Sequence, residues 1–71
     1  MNVIFDTFSG PWACDLNEVT DFILSYDFDS IAGEYKEIYI IVHNGSAIKV
    51  PATSANESLY HQWKALKLTP R

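Results

Sequence analysis

The sequence predicts an α+β domain of order β-α-β-β-α, with two helices packed on a three-stranded, mostly antiparallel sheet. Three observations carry this reading. Residues 34–50 hold two apolar, β-branched runs joined by Asn44-Gly45, a strong short-range hairpin signal. Asp15 with Glu18, and Ser54 with Glu57, form capping-box patterns, each opening a run of apolar residues at helical spacing. Val3–Phe8 (VIFDTF) is rich in β-branched and aromatic residues and ends at Ser9-Gly10-Pro11, a breaker.

Taken in order, Val3–Phe8 is the first strand. Asp15 starts the first helix, whose buried stripe is Leu16, Val19, Phe22, Ile23 and Tyr26. Cys14 precedes the cap, where it can pack on Val19 as a hydrophobic staple. Residues 27–33 are a connector. Glu34–His43 (EYKEIYIIVH) is the clearest strand. A two-residue turn at Asn44-Gly45 sets Ile41 against Ile48 and Tyr39 against Val50, so those four share a face. Ile38, Ile40 and Val42 take the other face beside Ala47 and Lys49, which predicts a central strand or a covered second face. Pro51 ends the return strand. Ser54 caps the last helix, Leu59, Trp63 and Leu66 line its inner side, Lys64 and Lys67 complement its C-terminal dipole, and Thr69-Pro70 stops it.

A length of 71 residues allows one domain, residues 1–71, with a small core. Chains of this size usually need a staple, a metal or a partner subunit, which points to self-association as a homodimer. With 48% hydrophobic and 14% aromatic residues the chain is too apolar for a disordered tail. One cysteine rules out an intrachain disulfide and argues for a reducing, cytoplasmic setting. The first ten residues lack the pattern of a signal peptide, and no apolar run reaches the length of a membrane span.

The net charge of −4 is unevenly spread. Residues 1–37 carry eight acids against Lys36, while residues 38–71 carry Glu57 against Lys49, Lys64, Lys67 and Arg71. Phosphates are repelled by an acidic half, so direct nucleic-acid binding is disfavoured and a basic protein partner is favoured. The candidate partner-binding residues are Asp15, Glu18 and Asp21, read as a ribbon along the outer side of the first helix, continued by Asp27, Asp29 and Glu34. The plainer reading is a solvated face with capping acids.

Chemistry finds little support. Cys14 with His43 or His61 has none of the local signatures of a cysteine enzyme and reads as structural. Asp27-Phe28-Asp29 opens like a calcium loop, but Ile31 stands where an oxygen ligand belongs, Gly33 is one place late and no acid closes the loop. His61 follows Glu57 by one helical turn as a surface contact. There is no glycine-rich phosphate loop and no nucleophile elbow. The expectation is therefore a non-catalytic module without metal or cofactor that docks on a basic, nucleic-acid-binding protein. Small acidic phage antagonists of host defence systems act in this way. The alternative is a structural or regulatory subunit acting as a homodimer.

Overall fold

The computed structural model describes residues 1–68. The chain runs β1 (Asn2–Thr7), β2 (Gly10–Asp15), a 3-10 turn (Leu16–Glu18), β3 (Val19–Asp29), β4 (Glu34–His43), β5 (Ser46–Pro51) and α1 (Ser54–Leu68). All pairings are antiparallel: β1 with β2 in one sheet, and β3-β4-β5 in a second.

This corrects the β-α-β-β-α order. Two sheets and a single helix stand, among the described residues, where one sheet and two helices were expected. The first helix is absent. Asp15 does cap, accepting from the Asn17 N–H at 3.0 Å, but what it caps is the three-residue 3-10 turn. The physical reason lies in Val19–Asp29 (VTDFILSYDFD), which carries two patterns at once. Val19, Phe22, Ile23 and Tyr26 fit a helical stripe. Phe22, Leu24, Tyr26 and Phe28 fit a strand face equally well, in a segment rich in β-formers. The edge of β4 decides between them. An apolar central strand leaves a row of buried backbone groups that a helix cannot satisfy, and Val19–Asp29 satisfies them. A bulge at Thr20, between Val19 and Asp21, resets the alternation so that Val19 and Phe22 both face the core. Ile23, assigned to the buried stripe, is 44% exposed on the opposite face.

The second difference is β2, which begins inside Ser9-Gly10-Pro11, a breaker by sequence pattern. Thr7 pairs with Gly10 across a two-residue turn, and Gly10 at φ 117 is the positive-φ residue the hairpin needs. Pro11 then faces Asp6, a position alternation leaves outside the ladder bonds, so its missing N–H costs nothing.

The β4–β5 hairpin forms as expected. Asn44 and Gly45 have φ of 50° and 78°, Ile41 pairs with Ile48, Tyr39 with Val50, and β4 is central. The last helix also forms, one residue out of phase with its predicted cap. Thr53 rather than Ser54 caps it, its Oγ1 accepting from the Asn56 N–H at 3.2 Å while donating to Asp6 Oδ2 at 2.8 Å. The predicted stop at Thr69-Pro70 lies outside the described residues.

The core gathers Phe5, Leu16, Val19, Phe22, Tyr39, Ile41, Val50 and Leu59. Phe22 is its hub, with ring centroids 5.2–6.0 Å from Phe5, Tyr39, Tyr60 and Trp63. Asn56 is fully buried and ties the layers together. Its side chain accepts from the Asp6 N–H at 2.9 Å and donates to the carbonyls of Asp6 at 2.9 Å and Pro51 at 2.8 Å, standing in for a neighbouring strand. The Trp63 indole N–H closes another open end, donating to the Val19 carbonyl at 2.8 Å.

Candidate functional site: the projecting hairpin arm

β5 reaches β4 only as far as Ile38. Beyond that point β3 and β4 continue alone, pairing Tyr26 with Glu37 through Asp29 with Glu34. The resulting arm, Tyr26 to Glu37, draws the molecule out to 46 × 23 × 23 Å. A two-stranded ribbon has no layer to bury its side chains against, and the consequence is visible: Tyr26 is 60% exposed, Phe28 54% and Tyr35 71%. Phe28 and Tyr35 face each other across the ribbon, rings 5.1 Å apart. Ile31, at the tip, is almost wholly in solvent.

The tip is shaped by Asp29. Its Oδ1 accepts from the N–H groups of Ile31 at 3.0 Å and Ala32 at 3.2 Å, and its carbonyl accepts from Gly33 at 2.7 Å. Gly33 sits at φ 70° to close the turn. Lys36 Nζ approaches Asp29 Oδ2 at 2.8 Å, and this contact, followed by the two backbone bonds, lowers the carboxyl's pKa. The resemblance to a calcium loop dissolves here, because Asp29 serves as turn former. Among the described residues no three acidic, histidine or cysteine side chains are grouped to hold a metal.

The six acids singled out in the sequence do not form one ribbon. Asp15 and Glu18 flank the 3-10 turn at the start of β3, where Asp15 also meets the terminal amine at 3.0 Å. Backbone bonding at Asn17, then that amine, lowers its pKa. Asp29 lies at the far end of β3, roughly 30 Å away for an extended strand of this length. Asp21, Asp27 and Asp29 share one face of β3, and Glu34 joins them from β4. Bases stand among them: Lys36 on Asp29, and Lys49 at 3.9 Å from Asp27. The arm itself carries Asp27, Asp29, Glu34 and Glu37 against Lys36, four acids to one base.

A cleft of about 310 Å3 runs along the arm from Ile38 at its base to Ile31 at its tip, with Phe8 and with Asp27, Asp29 and Lys36 in its lining. Phe8 reaches it from the β1–β2 turn, a juxtaposition that its place in the chain does not announce. The exposed aromatics were likewise hidden in the sequence, because Tyr26 and Tyr35 read equally as core until the end of β5 is known.

The remaining chemistry-bearing residues are not brought together, and His61 stays exposed on α1 beside the Tyr60 ring. Cys14 is half-buried against it, and burial, then the charges of Asp15 and Glu18, raises its pKa, the reverse of what a reactive thiolate needs. His43 packs edge-on to Trp12 at 5.1 Å. No helix among the described residues is long and apolar enough to cross a membrane. No family model, curated protein or solved structure matches the chain.

Proposed function

We propose that this protein is a non-catalytic binding module that docks on a basic protein partner through the β3–β4 arm. The observation that carries the reading is the arm's composition in place: Tyr26, Phe28 and Tyr35 stand exposed among four acids and one base, at the end of a fold whose other large aromatics are mostly packed. Exposed aromatic side chains supply contact area at low entropic cost, and surrounding carboxylates orient a basic surface and speed its capture. A groove that another protein uses to bind phosphates is a surface of that kind, and occupying it would make this chain an antagonist.

Affinity capture from a cell lysate tests the reading. Proteins retained by the wild type, with basic proteins prominent, should be lost when Phe28 and Tyr35 are both replaced by alanine, and lost again with Asp27→Lys. Glu18→Lys, at the other end of β3, should keep them. Added single-stranded nucleic acid should compete for the same proteins if a phosphate groove is covered. An identical set captured by the wild type and the arm variants would refute the proposal.

A further inference from the structure

The outer edge of β3 leaves backbone groups unclaimed, and alternation identifies them. The two-residue turn makes His43 and Ser46 the closing hydrogen-bonded pair, so Val42, Ile40, Ile38 and Lys36 turn their backbone groups toward β3. Their partners Asp21, Ile23, Ser25 and Asp27 spend their own on β4, while Phe22, Leu24, Tyr26 and Phe28 turn theirs outward. The start of this edge is closed: Trp63 takes the Val19 carbonyl, and the Asp21 carboxylate accepts from the Phe22 N–H at 3.0 Å. On β1 the corresponding groups of Asp6 are taken by Asn56. Past Phe22 no strand among the described residues lies along β3, and Leu24, Tyr26 and Phe28 are all exposed.

We propose that the free edge of β3, residues 23–29, accepts an extended segment of a partner protein as an added strand, one whose side chains alternate between basic and apolar. The proposal rests on the reading of the arm as a surface for a basic partner and specifies how that partner is held. An added strand supplies donors and acceptors at the spacing of Leu24, Tyr26 and Phe28, and places alternate side chains beside each face of β3. One face of β3 holds Asp21, Asp27 and Asp29, the other Phe22, Leu24, Tyr26 and Phe28. β3 contains no base. Lys36 and Lys49, which meet Asp29 and Asp27, stand on β4 and β5, on the side away from an incoming strand.

The same charges disfavour a second copy in two registers. Antiparallel β3–β3 pairing about Ser25 sets Asp21 against Asp29, and pairing about Leu24 sets Asp21 against Asp27. Like charges directly opposite one another destabilise a ladder. Pairing about Tyr26 sets Asp27 against Ser25 and Asp29 against Ile23 and carries no such penalty.

The test is a peptide of alternating lysine and valine, long enough to span residues 23–29, titrated into the full chain. Amide exchange at Leu24, Tyr26 and Phe28 should slow, and affinity should fall as salt rises. Methylating the peptide's alternate backbone nitrogens keeps its charge and should weaken binding at least about tenfold. Tyr26→Pro removes an outward N–H without touching the β4 ladder, a change edge strands tolerate, and should give the same loss. If the methylated peptide binds as well as its parent while Asp27→Lys weakens both, strand addition is wrong and the acidic-surface reading stands. If no binding occurs, or neither change alters it, both are wrong. Protection of the same amides without peptide, with a melting temperature that rises with protein concentration, would assign the edge to a second copy and overturn the proposal.

Discussion

Phe22 and Phe28 lie on the same face of the same strand and have opposite fates. Phe22 is buried among four aromatic rings, whereas Phe28 touches one, Tyr35, and is more than half exposed. Nothing in β3 itself separates them. The difference is what stands opposite: Phe5 of β1 and Tyr60 and Trp63 of α1 pack on Phe22 from a second layer, while Phe28 meets only Tyr35 of its own ribbon. A strand thus buries a residue only as far as a second layer reaches, and the remainder becomes surface that must be solvated or bound. Backbone groups follow the same division. At the packed end, edges are closed by Asn56, Trp63 and Asp21; along the arm they stay open.

This contrast can be broken most forcefully at its centre. Phe22→Ala should cost about 3–5 kcal/mol, enough to unfold a domain of this size, whereas Phe28→Ala should stay within about 1 kcal/mol, both read from urea unfolding. Similar losses at the two sites would mean that the arm carries part of the core.

Asn56→Ala comes next. It strands the N–H of Asp6 and two carbonyls in a buried place, at about 1–3 kcal/mol, measurable in the same way. Asn56→Asp should be no milder, because a carboxylate cannot donate to the Pro51 carbonyl.

The turn at Gly45 is a smaller lever. Gly45→Val forces a β-branched residue to φ 78° and should cost about 1–2 kcal/mol, although the space around the site is open. An unchanged melting temperature would contradict the assigned turn.

The smallest effect belongs to the arm and is a matter of pH. Asp29 has a depressed pKa, so the ionised carboxylate favours the folded tip. That contribution is complete above the ordinary aspartate pKa of about 3.9 and is lost as pH falls through the lowered folded value. Amide exchange at Ile31 and Ala32, corrected for the intrinsic pH dependence, should therefore lose protection in acid while amides of the Phe22 core keep theirs. Asp29→Asn should remove this acid-dependent loss, because the asparagine side chain does not titrate. Equal acid sensitivity at both ends would erase the distinction between arm and core.

What the sequence determined by itself was whatever local chemistry decides alone. Asn44-Gly45 demands a tight hairpin turn, the run from Ile38 to Val42 demands burial on both faces, and the stripe of Leu59, Trp63 and Leu66 demands a helix. So β4, β5 and α1 stand where the pattern puts them, although Leu66 is exposed rather than on the inner side. Asp15 was rightly a cap, since capping needs only the next few N–H groups. Tertiary structure alone decided the rest. Val19–Asp29 fits a helix and a strand equally well, and only the unsatisfied edge of β4 chooses between them. Gly10-Pro11 both breaks and opens a strand, depending on whether β1 is there to pair with β2. The acids suffered most from this limit. Their helical ribbon had no existence apart from the helix, and in strand geometry Asp21, Asp27 and Asp29 share a face with Lys36 and Lys49 while Asp15 and Glu18 stay at the far end of β3. Which face a side chain takes, and whether another layer covers it, depends on contacts between residues distant in the chain. Those contacts are what folding supplies.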